Sequence, residues 1–433
     1  MKKRIYLFVW LLLATTTPFL ATAQTALDSF LASQKMLKAK VIPVRDELFK
    51  ATYLITFQQP LDHEHPELGT FEQRVWLSHF SETAPVVLVT EGYSASRNYT
   101  TELARIVGAN QIIVEHRYFE NSTPSPKNYK YLTVAQAAAD HHAIVEVFKA
   151  FYKSKWINTG ISKGGSTTLF HAALYPQDVD VSVPYVAPLN FDREDRRLFD
   201  FFHLVGSEDD RKKLFDFQKL VLTKRDVLMP LLAKYVSSNR LSFDMGLDKA
   251  FELAVLEYPF AFMQWGKPIS TIPAATATPQ VLLAHLIDGS DISYFSDNSR
   301  KSLSSFFYQA YTELGYYAYT PNELKPFMKA IQQDTISSSL MIAGGDTLTF
   351  HREVMLDISK RLHAQNPQMI VITGENDPWG STAFQAADLS NVHLFVKAEG
   401  SHLSRIANQT PSDRKKIYDL LEKWLGVALR NKE

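Results

Sequence analysis

The amino-acid sequence predicts an α/β protein: a mostly parallel sheet flanked by helices, interrupted by a helical insertion. Three observations carry this. Strand-like and helix-like runs alternate from about 53 to 188, and such alternation builds a parallel sheet with helices on both sides. A helix-rich, aromatic-rich stretch then fills about 190–339. The alternation returns from about 340, so both flanks are expected to complete one sheet.

The elements follow in order. Segments 53–57 and 71–78 read as strands separated by a turn-rich 60–69. Segment 85–90 is a continuous apolar run, as expected of a strand buried on both faces, and 111–115 is another. Segment 131–152 reads as a helix with Thr133 as N-cap and an apolar face of Ala137, Ile144, Val147 and Phe148. Strand 156–161, helix 164–175 and strand 179–187 follow. In the insertion, 196–203, 211–236, 247–256, 302–314 and 322–333 read as helices, and their aromatic stripe reads first as core. Strands 369–373 and 392–396 and an amphipathic helix 414–425 close the chain.

Residues 1–23 stand apart. Lys2, Lys3 and Arg4 precede the apolar run 5–13, which is too short to span a bilayer, and Ala21-Thr22-Ala23 is an A-x-A cleavage site. This is the pattern of a signal peptide, which predicts export to the periplasm or beyond. The expected organisation is 24–189 as the first part of the core, 190–339 as the cap and 340–433 as the second part. Composition narrows the function. The 433 residues carry 46 basic and 46 acidic side chains, which argues against a nucleic-acid binder. The absence of cysteine excludes a cysteine protease, a thiolate zinc site and a disulfide framework.

The sharpest chemical signal is Gly160-Ile161-Ser162-Lys163-Gly164, followed by Gly165. It fits G-x-S-x-G between a strand and a helix, the nucleophile elbow of an α/β-hydrolase. Small residues are needed because the turn is tight. The turn exposes the serine Oγ and aims the Lys163 backbone N–H at a developing oxyanion. A serine hydroxyl needs a general base. In this fold the chain order is serine, acid, histidine. The last histidine, His402, follows the final strand, and Asp377 in Gly374-Glu375-Asn376-Asp377-Pro378-Trp379 follows the strand before it. Asp377 would hold the His402 tautomer and His402 would take the Ser162 proton; Glu375 is the rival acid.

A second oxyanion donor is expected from the loop Glu91-Gly92-Tyr93, from Gly92 or Tyr93. A carboxylate at Glu91 would oppose the oxyanion unless it bound a cation such as a substrate α-amine. The competing reading is a salt bridge to Arg97 or Arg117. His116 reads as a hydrogen-bonded structural histidine. His63 and His65 are a weak metal pair, and His141 and His142 diverge by about 100° on their helix. No metal or cofactor is expected.

Together these segments resemble the secreted serine peptidases of family thirty-seven, the prolyl tripeptidyl aminopeptidase type. They are more distantly similar to family twenty-eight, which holds Pro-Xaa carboxypeptidase and dipeptidyl peptidase II. The matching segments include Gln59-Pro60-Leu61-Asp62-His63, Glu91-Gly92-Tyr93, Glu115-His116-Arg117-Tyr118-Phe119, Ser162-Lys163-Gly164-Gly165, Tyr308 to Gly315, Asp377-Pro378-Trp379 and Gly400-Ser401-His402-Leu403. The resemblance implies an α/β-hydrolase core with a helical cap, and release of short peptides from free N-termini, often tripeptides and often after proline. It places the family triad on Ser162, Asp377 and His402. Family twenty-eight members carry disulfides and usually two consecutive histidines at the catalytic position. This chain has no cysteine and one histidine there, which favours family thirty-seven.

The partners then implied are peptides with a free N-terminus, with no nucleic acid and, after signal removal, no membrane. A buried substrate ammonium needs a carboxylate, and Glu91 and Glu313 are the candidates from the motif segments. Tyr93 or Trp379 could form an apolar slot for a proline ring. A carboxylesterase or lipase on the same core is the competing enzyme, because fold and triad do not set the substrate. An inactive binding protein is disfavoured by the intact Ser, Asp and His set.

Overall fold

In the computed structural model, which describes residues 25–432, eleven strands are distinguished; the segment expected to be a signal peptide, 1–23, lies outside the described residues. They are β1 (Leu37–Ile42), β2 (Ala51–Pro60), β3 (Thr70–His79), β4 (Val86–Thr90), β5 (Asn110–Val114), β6 (Trp156–Ile161), β7 (Val181–Tyr185), β8 (Ala318–Tyr319), β9 (Ile336–Ser337), β10 (Met369–Gly374) and β11 (Val392–Lys397). Nine form one sheet in the order β1-β2-β3-β5-β4-β6-β7-β10-β11. β1 to β3 pair antiparallel, β3 joins β5 antiparallel, and every pair from β5 to β11 is parallel. This is the α/β-hydrolase fold.

The period of the strands explains the two covering layers. Side chains alternate between faces. From β4, Val87 and Val89 pack with helices Glu102–Val107 and Pro411–Leu425 on one face. Val86 and Leu88 face the other way, onto helices Ala26–Ser33 and Val134–Lys149. The latter starts where the sequence places it, with Thr133 Oγ1 accepting from Gln136 N–H at 3.2 Å. Helices Lys163–Leu174 and Arg352–Gln365 cover the same face further along. Strand order reverses at β4, whose neighbours are β5 and β6. A crevice for ligands opens outside the carboxyl ends at such a point.

Between β7 and β10 the chain builds a separate apolar cluster of helices, which also takes in Trp379 from the sheet side. Its elements depart from the sequence reading. The expected helix 211–236 is two helices, Glu208–Thr223 and Arg225–Ser238, meeting at Lys224. Segment 302–314 is a short helix, Ser304–Gln309, running into a π turn, Ala310–Leu314. Of 322–333 only a 3₁₀ segment, Asn322–Phe327, forms. Helices Pro279–Ser290 and Arg352–Gln365 lie where no helix was expected.

The expected helix 247–256 runs on to Gln264, through Pro259. A proline cannot donate to the carbonyl four residues back. The orphaned acceptor is Val255 O, and the buried Gln218 Nε2 donates to it at 2.7 Å. Gln218→Leu should therefore cost about 1–3 kcal/mol of stability by leaving that carbonyl unpaired. Urea unfolding measures it, and a change below about 0.5 kcal/mol, the ordinary surface value, would contradict the role. No helix of the described residues is long and apolar enough to cross a membrane.

Candidate active site

The elbow is a product of close backbone contacts. A Cβ on Gly160 would lie 2.2 Å from Gly164 O, and one on Gly164 2.8 Å from Thr90 O. Only glycine lets β6, β4 and the following helix approach so closely. Ser162 between them has φ 58° and ψ −127°, a strained conformation for a residue with a side chain. Its backbone N–H donates to Tyr185 O at 2.9 Å, which ties the turn to β7. Its Oγ makes no hydrogen bond among the described residues, and Ser162 lines a cavity of about 300 Å³ beneath the helical insertion.

The loops after β10 and β11 touch through a second pair of glycines. A Cβ on Gly374 would lie 2.5 Å from Gly400 O, and Asn376 N–H donates to Gly400 O at 2.7 Å. This contact brings Asp377 against His402, with His402 Nδ1 and Asp377 Oδ2 2.7 Å apart. Both side chains are buried. Asp377 splits its oxygens: Oδ1 accepts Trp379 N–H at 3.2 Å and caps the turn Pro378–Thr382, while Oδ2 faces the imidazole. His402 Nε2 is buried without a partner. The His402 N–H donates to Gln264 O at 2.9 Å, and Trp265 stands edge-on to the ring, so the end of a cap helix braces the histidine. Glu375 is exposed and accepts from Glu399 N–H at 2.8 Å, away from the imidazole.

The loop after β4 lies on the start of the elbow helix. A Cβ on Gly92 would meet Gly164 N at 2.5 Å. Tyr93 O accepts from His116 N–H at 3.1 Å, and Tyr93 N–H has no acceptor among the described residues. The Lys163 N–H, first in its helix, has no intrahelical partner either. His116 is buried with Nδ1 on Arg117 O. Burial, with Lys163 and other cations nearby, holds its imidazole well below the usual histidine range.

The cavity brings some of the expected binding residues together and leaves others out. Tyr93, Lys163 and Trp379 line it with Ser162. Glu91 and Glu313 do not. The Glu91 carboxylate accepts from Tyr99 OH, and burial pushes its pKa up. It forms no ion pair with Arg97 or Arg117 among the described residues; Arg117 is taken by Asp140 at 2.7 Å. The Glu313 carboxylate accepts from Val134 N–H at 2.6 Å and serves the helix there. Both loops are close to the site, but each carboxylate is turned to a structural donor.

A different carboxylate faces the cavity. Glu257, on the cap helix Leu247–Gln264, lines it together with Ala261 and Gln264 from the same helical face. It has no cationic partner among the described residues. Tyr317 OH donates to it at 3.0 Å, and Tyr316 and Tyr294 continue the hydroxyl chain. Burial pushes its pKa up to about 8. The sequence carries a signal for it, a lone acid in the apolar run 253–263, but a helix ended at residue 256 stops one position short. His142, Glu146 and Asp178 are close enough to hold an ion, but Asp178 is already bonded to His142 and His171.

The family model described as PS-10 peptidase S37 matches residues 39–432. The prolyl tri/tetrapeptidyl aminopeptidase of Streptomyces mobaraensis is 32% identical over 427 residues, covering 94% of this chain and 88% of that one. Serine protease vicPb of Bipolaris victoriae is 34% identical over 123 residues, 24% of this chain and 22% of that one. Among solved structures, proline iminopeptidase of Mycobacterium smegmatis is 12% identical with a TM-score of 0.41, over 86% of this chain and 97% of that one. Matched along nearly its whole described length, the chain belongs to the PS-10 peptidase S37 family and is a serine peptidase.

Proposed function

We propose that the protein is an exported serine exopeptidase that releases short peptides from free N-termini, tripeptides foremost and after proline by preference. Ser162 Oγ attacks the scissile carbonyl while His402 Nε2 takes its proton. Asp377 holds Nδ1–H and stabilises the imidazolium. Tyr93 and Lys163 N–H groups receive the oxyanion. His402 then protonates the leaving amine, and water, deprotonated by the same nitrogen, releases the peptide from Ser162. The insertion 190–339 acts as a lid that admits a chain end and excludes folded protein. The name of one relative, a prolyl tri/tetrapeptidyl aminopeptidase, supports release from free N-termini; a shorter match in Arthroderma benhamiae, named a probable extracellular serine carboxypeptidase, supports an exported serine peptidase only.

The observation that carries the exopeptidase reading is Glu257. A carboxylate buried without a cation, in the cavity that Ser162 lines, is costly. A substrate ammonium would complete the pair. Asn190 also lines the cavity, and its Oδ1, buried and without a partner among the described residues, is an acceptor for a substrate N–H. Tyr93 and Trp379 supply apolar faces for a proline ring.

Three chromogenic amides test this: free Ala-Ala-Pro, the same peptide N-acetylated, and free Ala-Pro. Selective cleavage of the free tripeptide is expected; equal cleavage of the acetylated one would contradict an amine anchor. Glu257→Gln should cut kcat/KM on the free tripeptide on the order of 10²-fold, the size of a broken buried ion pair, and should erase its advantage over the acetylated peptide. The pH dependence has a definite sign. Below about pH 8 the empty Glu257 holds a proton that ammonium binding must expel, so kcat/KM rises with pH. Above the α-amine pKa of about 8 the substrate loses its own proton and kcat/KM falls. A peak near pH 8 is expected for the free peptide, without the alkaline fall for the acetylated one. Alkaline limbs of the same shape for both would contradict the assignment.

A further inference from the structure

We propose that the Lys163 side chain is a positioning residue that sets the oxyanion hole by holding the Gly92–Tyr93 peptide in one orientation. The inference rests on Ser162 being the nucleophile. Lys163 is only 4% exposed, and no carboxylate lies within ion-pair distance of it among the described residues. Lysine is almost never buried in this way without a partner. Its Nζ instead donates to Gly92 O at 2.7 Å. The faces of Tyr93 and Phe119 lie 5.7 and 5.3 Å from Nζ and replace part of its hydration.

The consequence follows from the planarity of the peptide bond. In a trans peptide the C=O of one residue and the N–H of the next point in opposite directions. A donor holding Gly92 O therefore turns Tyr93 N–H away from the lysine, and among the described residues that N–H, like the Gly92 N–H, has no acceptor. A flip of the same peptide would aim a carbonyl oxygen, a repulsive group, where the N–H had been. The residue at 92 cannot stiffen the loop by itself, because a Cβ there would lie 2.7 Å from Lys163 Cβ. Glycine must remain, its backbone freedom remains with it, and the lysine supplies the restraint. One residue thus contributes a donor through its backbone and orients the other donor through its side chain. Burial lowers the Lys163 pKa well below the usual lysine range, and a neutral amine still donates to Gly92 O.

The test compares Lys163→Met, which keeps length and apolar packing, with Lys163→Gln, whose amide can still donate. Steady-state kinetics on free Ala-Ala-Pro amide are read beside the affinities of a peptide boronic acid and of the product tripeptide. Lys163→Met should lower kcat on the order of 10²-fold, with KM and product affinity little changed and boronate affinity weakened by the same factor. Lys163→Gln should recover part of both losses. A kcat within about threefold of the parent enzyme, or a loss confined to KM, would overturn the proposal. The parent enzyme provides a second test that needs no variant. In its crystal structure with the boronate bonded to Ser162, one boronate oxygen should accept from Tyr93 and Lys163 N–H while Nζ stays on Gly92 O. A flipped Gly92–Tyr93 peptide, or Nζ bonded directly to the boronate, would overturn the positioning role alone. A boronate bonded to another residue would overturn the nucleophile and this inference together.

Discussion

Ser162→Ala is expected to lower kcat on the order of 10⁶-fold, the scale seen when a catalytic serine is removed from a triad, while leaving the fold intact. The two halves of that expectation have separate grounds. Oγ makes no hydrogen bond among the described residues, so deleting it leaves none of them unpaired. The φ of 58° is imposed by Gly160, Gly164 and the Tyr185 contact, all of which remain. Removing Oγ leaves the oxyanion donors and the cavity in place but nothing to form the acyl-enzyme. Thermal unfolding and single-turnover kinetics together check it. Activity within tenfold of the parent enzyme would remove Ser162 from the chemistry.

Asp377→Asn is expected to cost on the order of 10⁴-fold in kcat, through the tautomer of His402 rather than through geometry. An asparagine can still cap Trp379 N–H with its oxygen, so the turn Pro378–Thr382 keeps its support. Its amide N–H then faces Nδ1 and makes that nitrogen the acceptor. The ring proton moves to Nε2, where it blocks acceptance of the Ser162 proton. Measuring kcat beside the unfolding midpoint separates this from a packing defect in a fully buried site. A loss under tenfold would return attention to Glu375, although its hydrogen bond to Glu399 N–H already engages that carboxylate.

The parts of this molecule legible in the sequence are those where local backbone demands leave little freedom. The run 85–90 reads as a strand because every residue of β4 is buried. The elbow reads as an elbow because three chain segments meet within a Cβ radius at Gly160 and Gly164. The Asp377 and His402 loops read as neighbours because each follows one of the last two strands, and those strands pair in parallel. Tertiary partners decided the rest. Pro259 reads as a helix breaker, but Gln218, forty-one positions earlier, satisfies the carbonyl it orphans and the helix continues to Gln264. That continuation is what carries Glu257 and Gln264 into the site. Glu91 and Glu313 lie in the right segments, yet Tyr99 OH and Val134 N–H claim them. Position along a motif does not reveal which donor a carboxylate meets. β1 carries the apolar alternation Leu37-Lys38-Ala39-Lys40-Val41, but as a short edge strand it buries only Leu37, so the pattern marks no core face.

The proposed serine nucleophile and amine anchor, Ser162 and Glu257, line one cavity. The most direct measurement is the rate and site of labelling by an Ala-Ala-Pro diphenyl phosphonate with a free N-terminus, beside its N-acetylated twin. Peptide mapping by mass spectrometry should find the phosphonyl group on Ser162, and the free probe should react at least about tenfold faster, a difference of about 1.4 kcal/mol. A label on another residue, or equal rates for the two probes, would contradict the account.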